Sequence, residues 1–174
     1  MFNETISIKP KTQQDNFAKL QKLFPEYDNR KHFLKWAGGK SQLLPELLKY
    51  IPTKYNNYIE PFIGGGALFF YLNHSASVIS DSNEELILTY TAVKDEVHSV
   101  IEIIDGFVNE ETFFYQVRSL DPHTLSPTER AARLIYLNKT CFNGLYRVNK
   151  KGMFNVPYNK RNNERFYNKE TLIN

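Results

Sequence analysis

Cysteine is nearly missing from this sequence: Cys141 is the only one in 174 residues. An intramolecular disulfide and a cysteine-based zinc or iron–sulfur centre are excluded, and the reducing cytoplasm fits. Long apolar runs are missing too. None approaches the roughly 18–20 residues that span a bilayer, so neither a membrane nor a metal is expected as a partner. The opening stretch MFNETISIKPKTQQDNF has no apolar centre and does not read as a secretory signal. No internal repeat or low-complexity tract occurs. Apolar residues make up 41% and charged residues 24%, ordinary values for one domain with a real core.

Charge of one sign is scarce in particular segments. Residues 1–74 carry 10 basic and 6 acidic side chains, and residues 75–129 carry 2 and 11. Residues 130–169 carry 10 basic side chains (Arg130, Arg133, Lys139, Arg147, Lys150, Lys151, Lys160, Arg161, Arg165, Lys169) against Glu164 alone. Such a block points to a polyanion, most simply nucleic acid. A solvated surface face is the competing reading.

Residues 1–30 read as a polar extension, with Phe17, Leu20 and Phe24 at helical spacing. Leu43, Leu44, Leu47 and Leu48 predict a helix over 43–51, with Ser41 as its cap, Pro45 in the first turn and Pro52 as its stop. Tyr58-Ile59 reads as a buried strand, ALFFYL as a helix and Val78-Ile79-Ser80 as a second strand. Ser82 to Glu85 has the form of a capping box opening a helix through Val93. Further helices are expected at Val97–Ile104, at Phe113–Arg118 and after Ser126-Pro127-Thr128-Glu129. Residues 142–169 read as basic, aromatic loop with a short hairpin around Asn149–Gly152. The order predicts an α/β fold with parallel strands, of which only two are visible.

Three constellations carry chemistry. In Glu60-Pro61-Phe62-Ile63-Gly64-Gly65-Gly66, glycines follow a strand, let a ligand approach the backbone and open a helix whose N-terminus is electropositive. Asp81 ends the next strand 17 residues beyond Gly64, near the offset of roughly 20 for an acid that grips ribose hydroxyls. The spacing G-x-G-x-x-G is absent, so a nucleoside such as an S-adenosyl group suits the loop better than a dinucleotide. A plain tight turn would use the same glycines. Trp36-Ala37-Gly38-Gly39-Lys40-Ser41 imitates a phosphate-binding loop, but Leu34 stands where its first glycine is required. It still offers a small-ligand wall, unless Trp36 is only core. Last, Asn138 to Asn149 and Phe154 to Tyr158 interleave basic, aromatic and amide side chains, which can read nucleic acid or pack a loop.

In this order, FLKWAGGK, IEPFIGGGALFF, VISDSNEEL and RAARLIYLNKTCFNGLYRVNKKGMFNVPYNK resemble the Dam-type DNA adenine methylases, which include GATC-specific methylases of restriction–modification systems. The resemblance covers roughly residues 31–174. It implies a Rossmann-like, S-adenosyl-L-methionine-dependent methyltransferase core with an incomplete sheet and an inserted helical DNA-recognition domain. Residues 31–90 would belong to the core, 91–169 to recognition and 170–174 to the return toward the core. It implies that Trp36, Lys40, Glu60, Pro61, Phe62, Gly64 and Asp81 bind the cofactor. Phe142, Asn143, Gly144, Leu145, Arg147 and Pro157 match the family's positions for reading double-stranded DNA. Lys150, Lys151, Lys160 and Arg161 are the expected phosphate contacts.

The family's catalytic motif, Asp-Pro-Pro-Tyr, does not occur here. Asp121-Pro122-His123 has the wrong third residue, and Asn155-Val156-Pro157-Tyr158 has valine for the first proline. The expectation is an adenine N6 methyltransferase whose first 174 residues lack a catalytic group and are inactive alone. Two other readings stay open. One is a non-catalytic DNA-binding fragment or one half of a split methylase, paired with a separately encoded C-terminal half. The other is an unrelated nucleotide-binding α/β protein.

Overall fold

A computed structural model describes residues 32–173. The helix expected near Phe17, Leu20 and Phe24 lies outside the described residues.

The helix expected over 43–51 is broken up. Only α1 (Leu44–Leu47) is α-helical, flanked by 3-10 turns at Lys40–Gln42 and Leu48–Tyr50. Ser41 does not cap it, because Ser41 lies inside the first 3-10 turn and α1 begins after Leu43 without a side-chain cap. β1 (Tyr58–Glu60) pairs in parallel with β2 (Ser77–Ile79), with Ile59 opposite Val78. Parallel pairing needs a crossover, and α2 (Ala67–Leu72) lies on it. Tyr58 and Glu60 point inward, while Ile59 (67% exposed) and Val78 (60% exposed) stand on the open face.

The two helices expected between residues 83 and 104 form one element, α3 (Glu84–Asp105), broken at Glu96 (φ −139°, ψ 39°). Its cap is Asn83 and not Ser82: Asn83 Oδ1 accepts from Leu86 N at 3.0 Å. Asp81 Oδ1 takes the Asn83 amide at 3.0 Å, so the chain turns one residue later than the capping box needs. α4 (Glu111–Ser119) follows. α5 (Pro127–Thr140) begins as expected: Ser126 Oγ accepts from Glu129 N, and the Glu129 carboxylate accepts from Ser126 N at 2.8 Å. The expected hairpin is present, with Val148 bridged to Phe154. α6 (Lys169–Ile173) closes the described chain.

α3 and α5 lie against each other as the spine. One core cluster joins Phe33, Leu34 and Ile63 to Leu86 and Ile104 of α3, Ala131 and Ile135 of α5, and Leu172 of α6. A second gathers Phe114, Tyr136, Leu137, Phe154, Val156 and Tyr158. A third, under α1, holds Leu44, Tyr58, Ala67 and Leu68.

Asn138 is wholly buried on the same face of α5 as Leu134 and Ile135. Its Nδ2 donates to Lys35 O (2.8 Å) and Gly144 O (3.0 Å), and its Oδ1 accepts from Lys35 N (2.8 Å). Gly144 has φ +64°, and a Cβ there would lie 2.7 Å from Lys35 Cβ. Only glycine lets the two strands of chain approach this closely. Asn138→Ala leaves three backbone groups without their partner, each costing about 1–3 kcal/mol when buried. With partial relaxation, a loss of roughly 2–4 kcal/mol is expected, a fall in Tm of about 4–16 °C. A thermal melt shifted by under about 2 °C would show that these groups re-pair elsewhere.

Candidate functional site

The glycine loop is held from three sides. Ile63 N donates to Ser80 O (3.0 Å) beyond β2, Gly64 N donates to Asp81 Oδ2 (3.0 Å), and Tyr90 OH of α3 donates to Gly64 O (3.0 Å). Gly66, at φ +74°, cannot carry a side chain: its Cβ would lie 2.7 Å from the Phe70 ring and 2.9 Å from the Tyr90 hydroxyl. Asp81 therefore clasps the loop. Each of its oxygens accepts one backbone N–H, from Gly64 and Asn83, and keeps further lone-pair capacity.

Glu60 is buried at the end of β1. Its Oε2 accepts from Tyr58 OH at 2.5 Å, and its Oε1 faces Lys40 Nζ at 3.0 Å. Lys40 Nζ also donates to Phe62 O. Glu60 Oε1 nevertheless receives no directed hydrogen bond. Burial and the Glu60 carboxylate push the Tyr58 phenol pKa up. Pro61 and Phe62 are exposed, Phe62 by 69%. Trp36 lies along the loop, its Cδ1 only 3.2 Å from where a Gly64 Cβ would be. The indole stacks on Tyr146, with centroids 5.2 Å apart and an interplanar angle of 24°.

Tyr146 belongs to the basic segment, whose turns are each fixed by hydrogen bonds. Phe142 N donates to Pro157 O (2.8 Å), bringing the exposed Phe142 and Pro157 side by side. Asn143 (φ 55°) and Gly144 turn the chain toward Leu145. Asn149 Oδ1 accepts from Lys151 N (2.8 Å) and Met153 N (3.1 Å), which shapes the tip carrying Lys150 and Lys151. Asn109 Nδ2 donates to Arg161 O and Glu164 O, both at 2.8 Å, and so fixes the loop bearing Lys160 and Arg161.

Residues 36–174 match the D12 class N6 adenine-specific DNA methyltransferases. The chain belongs to that family. It is 45% identical over 150 residues to a type II methyltransferase of Lactococcus lactis subsp. cremoris, covering 83% of this chain and 53% of that protein. It is 41% identical over 165 residues to one from Methanocaldococcus jannaschii, covering 83% and 57%. A DNA adenine methylase of Haemophilus influenzae is 39% identical over 145 residues, covering 80% and 50%. The chain spans about half the length of these curated relatives.

In this D12-class chain the basic block is not uniformly a surface. Arg130 pairs with Glu85 and lies 3.6 Å from Glu84, both at the start of α3. Arg133 is buried, donating to Val117 O (3.1 Å) and Arg118 O (2.9 Å) at the end of α4. Lys169 pairs with Asp105. Lys139 is largely enclosed, and burial together with Lys35 lowers its pKa to about 8. Arg147, Lys150, Lys151, Lys160, Arg161, Arg165 and Lys169 are exposed, and of these Lys169 pairs with Asp105 and Arg161 lies 3.8 Å from Glu164. Among the described residues no His/Cys/Asp/Glu group could hold a metal, and no helix is long and apolar enough to cross a membrane. Burial raises the Cys141 pKa to about 11, which keeps it a thiol.

Sequence reasoning held Asn138 and Tyr146 only as members of a stretch that could read nucleic acid or pack a loop, and the fold gives them particular partners in Lys35, Gly144 and Trp36. It passed over Asn109 and the hydroxyl of Tyr90, which carry no local signature.

Lys139 lines a cavity of about 380 Å³ with His32, Arg165 and Tyr167. In the unfolded chain its amine titrates at about 10.5, and in the fold at about 8. Between those values the unfolded chain holds more protons, so stability rises with pH, while below about pH 8 the full penalty applies. Lys139→Met is expected to unfold at higher urea than the parent near neutral pH, and the gap should close above about pH 10. Equal midpoints near neutral pH would show a well-solvated ammonium.

Proposed function

We propose that this chain is the cofactor-binding and DNA-reading part of an adenine N6 methyltransferase. It would use S-adenosyl-L-methionine on duplex DNA, with GATC as target. The carrying observation is the junction at Trp36: the glycine loop clasped by Asp81 and the basic segment with its exposed cations both meet the indole. A loop after β1 and an acid after β2 support a Rossmann-like core, with a recognition region inserted after it. The division into residues 31–90, 91–169 and 170–174 is one of role, since α3 and a single core cluster run across the first boundary.

The donor set fits the cofactor. Asp81 retains lone pairs for two ribose hydroxyls, and Glu60 Oε1, buried without a directed hydrogen bond beside Lys40 Nζ at 3.0 Å, would accept from an ammonium. Trp36, Lys40, Pro61, Phe62 and Gly64 would wall the site. When bound, S-adenosylmethionine supplies an electrophilic methyl group on sulfur. On the DNA side, Arg147 would fork a guanine edge, and Phe142, Leu145 and Pro157 would press on bases, with Asn143 and Gly144 shaping the turn. Lys150, Lys151, Lys160 and Arg161 would meet phosphates.

Charged hydrogen bonds of the Asp81 kind are worth about 1.5–3 kcal/mol. Asp81→Ala should weaken S-adenosylmethionine binding by roughly 10- to 100-fold in calorimetry, and unchanged affinity would reject the assignment.

These 174 residues hold no Asp-Pro-Pro-Tyr to accept from the adenine amine. A purified chain should retard duplex DNA on a gel at low salt yet transfer no labelled methyl group. Transfer to adenine by this chain alone would overturn that reading.

A further inference from the structure

Asn155 sits opposite Arg147 in the basic hairpin, and the two are joined three times. Asn155 N donates to Arg147 O at 3.0 Å. Arg147 Nε donates to Asn155 Oδ1 at 2.6 Å, and Arg147 Nη2 donates to Asn155 O at 3.2 Å. The Arg147 side chain is exposed, and a free arginine there would sample many rotamers. Instead one edge of its guanidinium is fixed against the opposite chain. Nη1 and the second hydrogen of Nη2 remain as the outward pair of donors, the spacing a guanine O6/N7 edge accepts.

We propose that Asn155 is a positioning residue for base recognition: it holds Arg147 in the geometry that reads a base. The proposal rests on the DNA-reading role given to Arg147 above. It also gives the Asn155 Oδ1 a partner within the hairpin, Arg147 Nε. Neutral Asn is suited to the task. A carboxylate would hold the arginine as firmly but would repel phosphate and cancel its charge.

The experiment has two arms. In the first, the Arg147 Nε–H resonance of the ¹⁵N-labelled chain, assigned by its loss in Arg147→Lys, is followed for exchange with water. Exchange is expected to be slower than for Arg161 Nε–H, to become as fast as it in Asn155→Ala, and to stay slow in Asn155→Asp; Arg165 is no reference, since its Nε donates to Tyr167 O. In the second, binding is compared between a GATC duplex and duplexes with each base pair changed singly. Ordering one long side chain is worth about 0.5–1.5 kcal/mol, so Asn155→Ala should lose about 2- to 13-fold in discrimination at one base pair. Affinity for the duplex altered at that pair should not change. Arg147→Ala should lose discrimination at the same pair, and the double substitution should lose no more than Arg147→Ala alone. Asn155→Asp should weaken all duplexes while keeping the discrimination. Fast Nε–H exchange in the parent chain, or discrimination unchanged in Asn155→Ala, overturns the proposal. A parent chain with slow exchange that binds all duplexes equally shows instead that Arg147 reads no base, and this removes both the role of Arg147 and that of Asn155.

Discussion

One buried amide ties three separate parts of this protein together. Asn138 uses two donors and one acceptor to join α5 to the chain before Trp36 and to the turn at Gly144. A polar side chain in an apolar interior costs several kcal/mol unless its hydrogen bonds are met, and here they are met by backbone groups that would otherwise be orphans themselves. The pairing is mutual: the segment leading into Trp36, the spine helix and the turn before the basic hairpin share a single point of fixation. Gly144 completes it, since any side chain there would collide with Lys35.

The acidic segment between residues 75 and 129 has a related function. Glu85, with the exposed Glu84 further off, is the counterion of Arg130, and Asp105 is that of Lys169. Arg133 satisfies the last carbonyls of α4. Once these pairs are made, the positive charge left at the surface is concentrated between Arg147 and Arg165. Segment totals therefore overstate the field at some positions and hide where it is focused.

Local chemistry was legible wherever its partners are close in sequence. The Ser126 capping box, the glycine loop after β1, the Asp81 offset and the hairpin around Asn149–Gly152 all have short-range signatures, and the fold contains each of them. The failures come from competing short-range bonds. Ser82 lost its cap because Asp81 engaged the Asn83 amide first, and Ser41 lost its own because a 3-10 turn begins at Lys40. Burial of Arg133 and Lys139 was not legible, because it depends on which face of α5 meets α4 and the chain near Phe33. The same holds for Asn155, whose sequence neighbours suggested a degenerate catalytic motif while its partner stands eight residues away across the hairpin.

The position of Trp36 makes the protein its own optical probe. It is the only tryptophan, and it meets both the glycine loop and Tyr146. If the hairpin left its place, the indole would lose the ring stacked on it and meet water, and Trp36 emission would move to longer wavelength. One unlabelled chain thus carries a fluorophore at the junction itself.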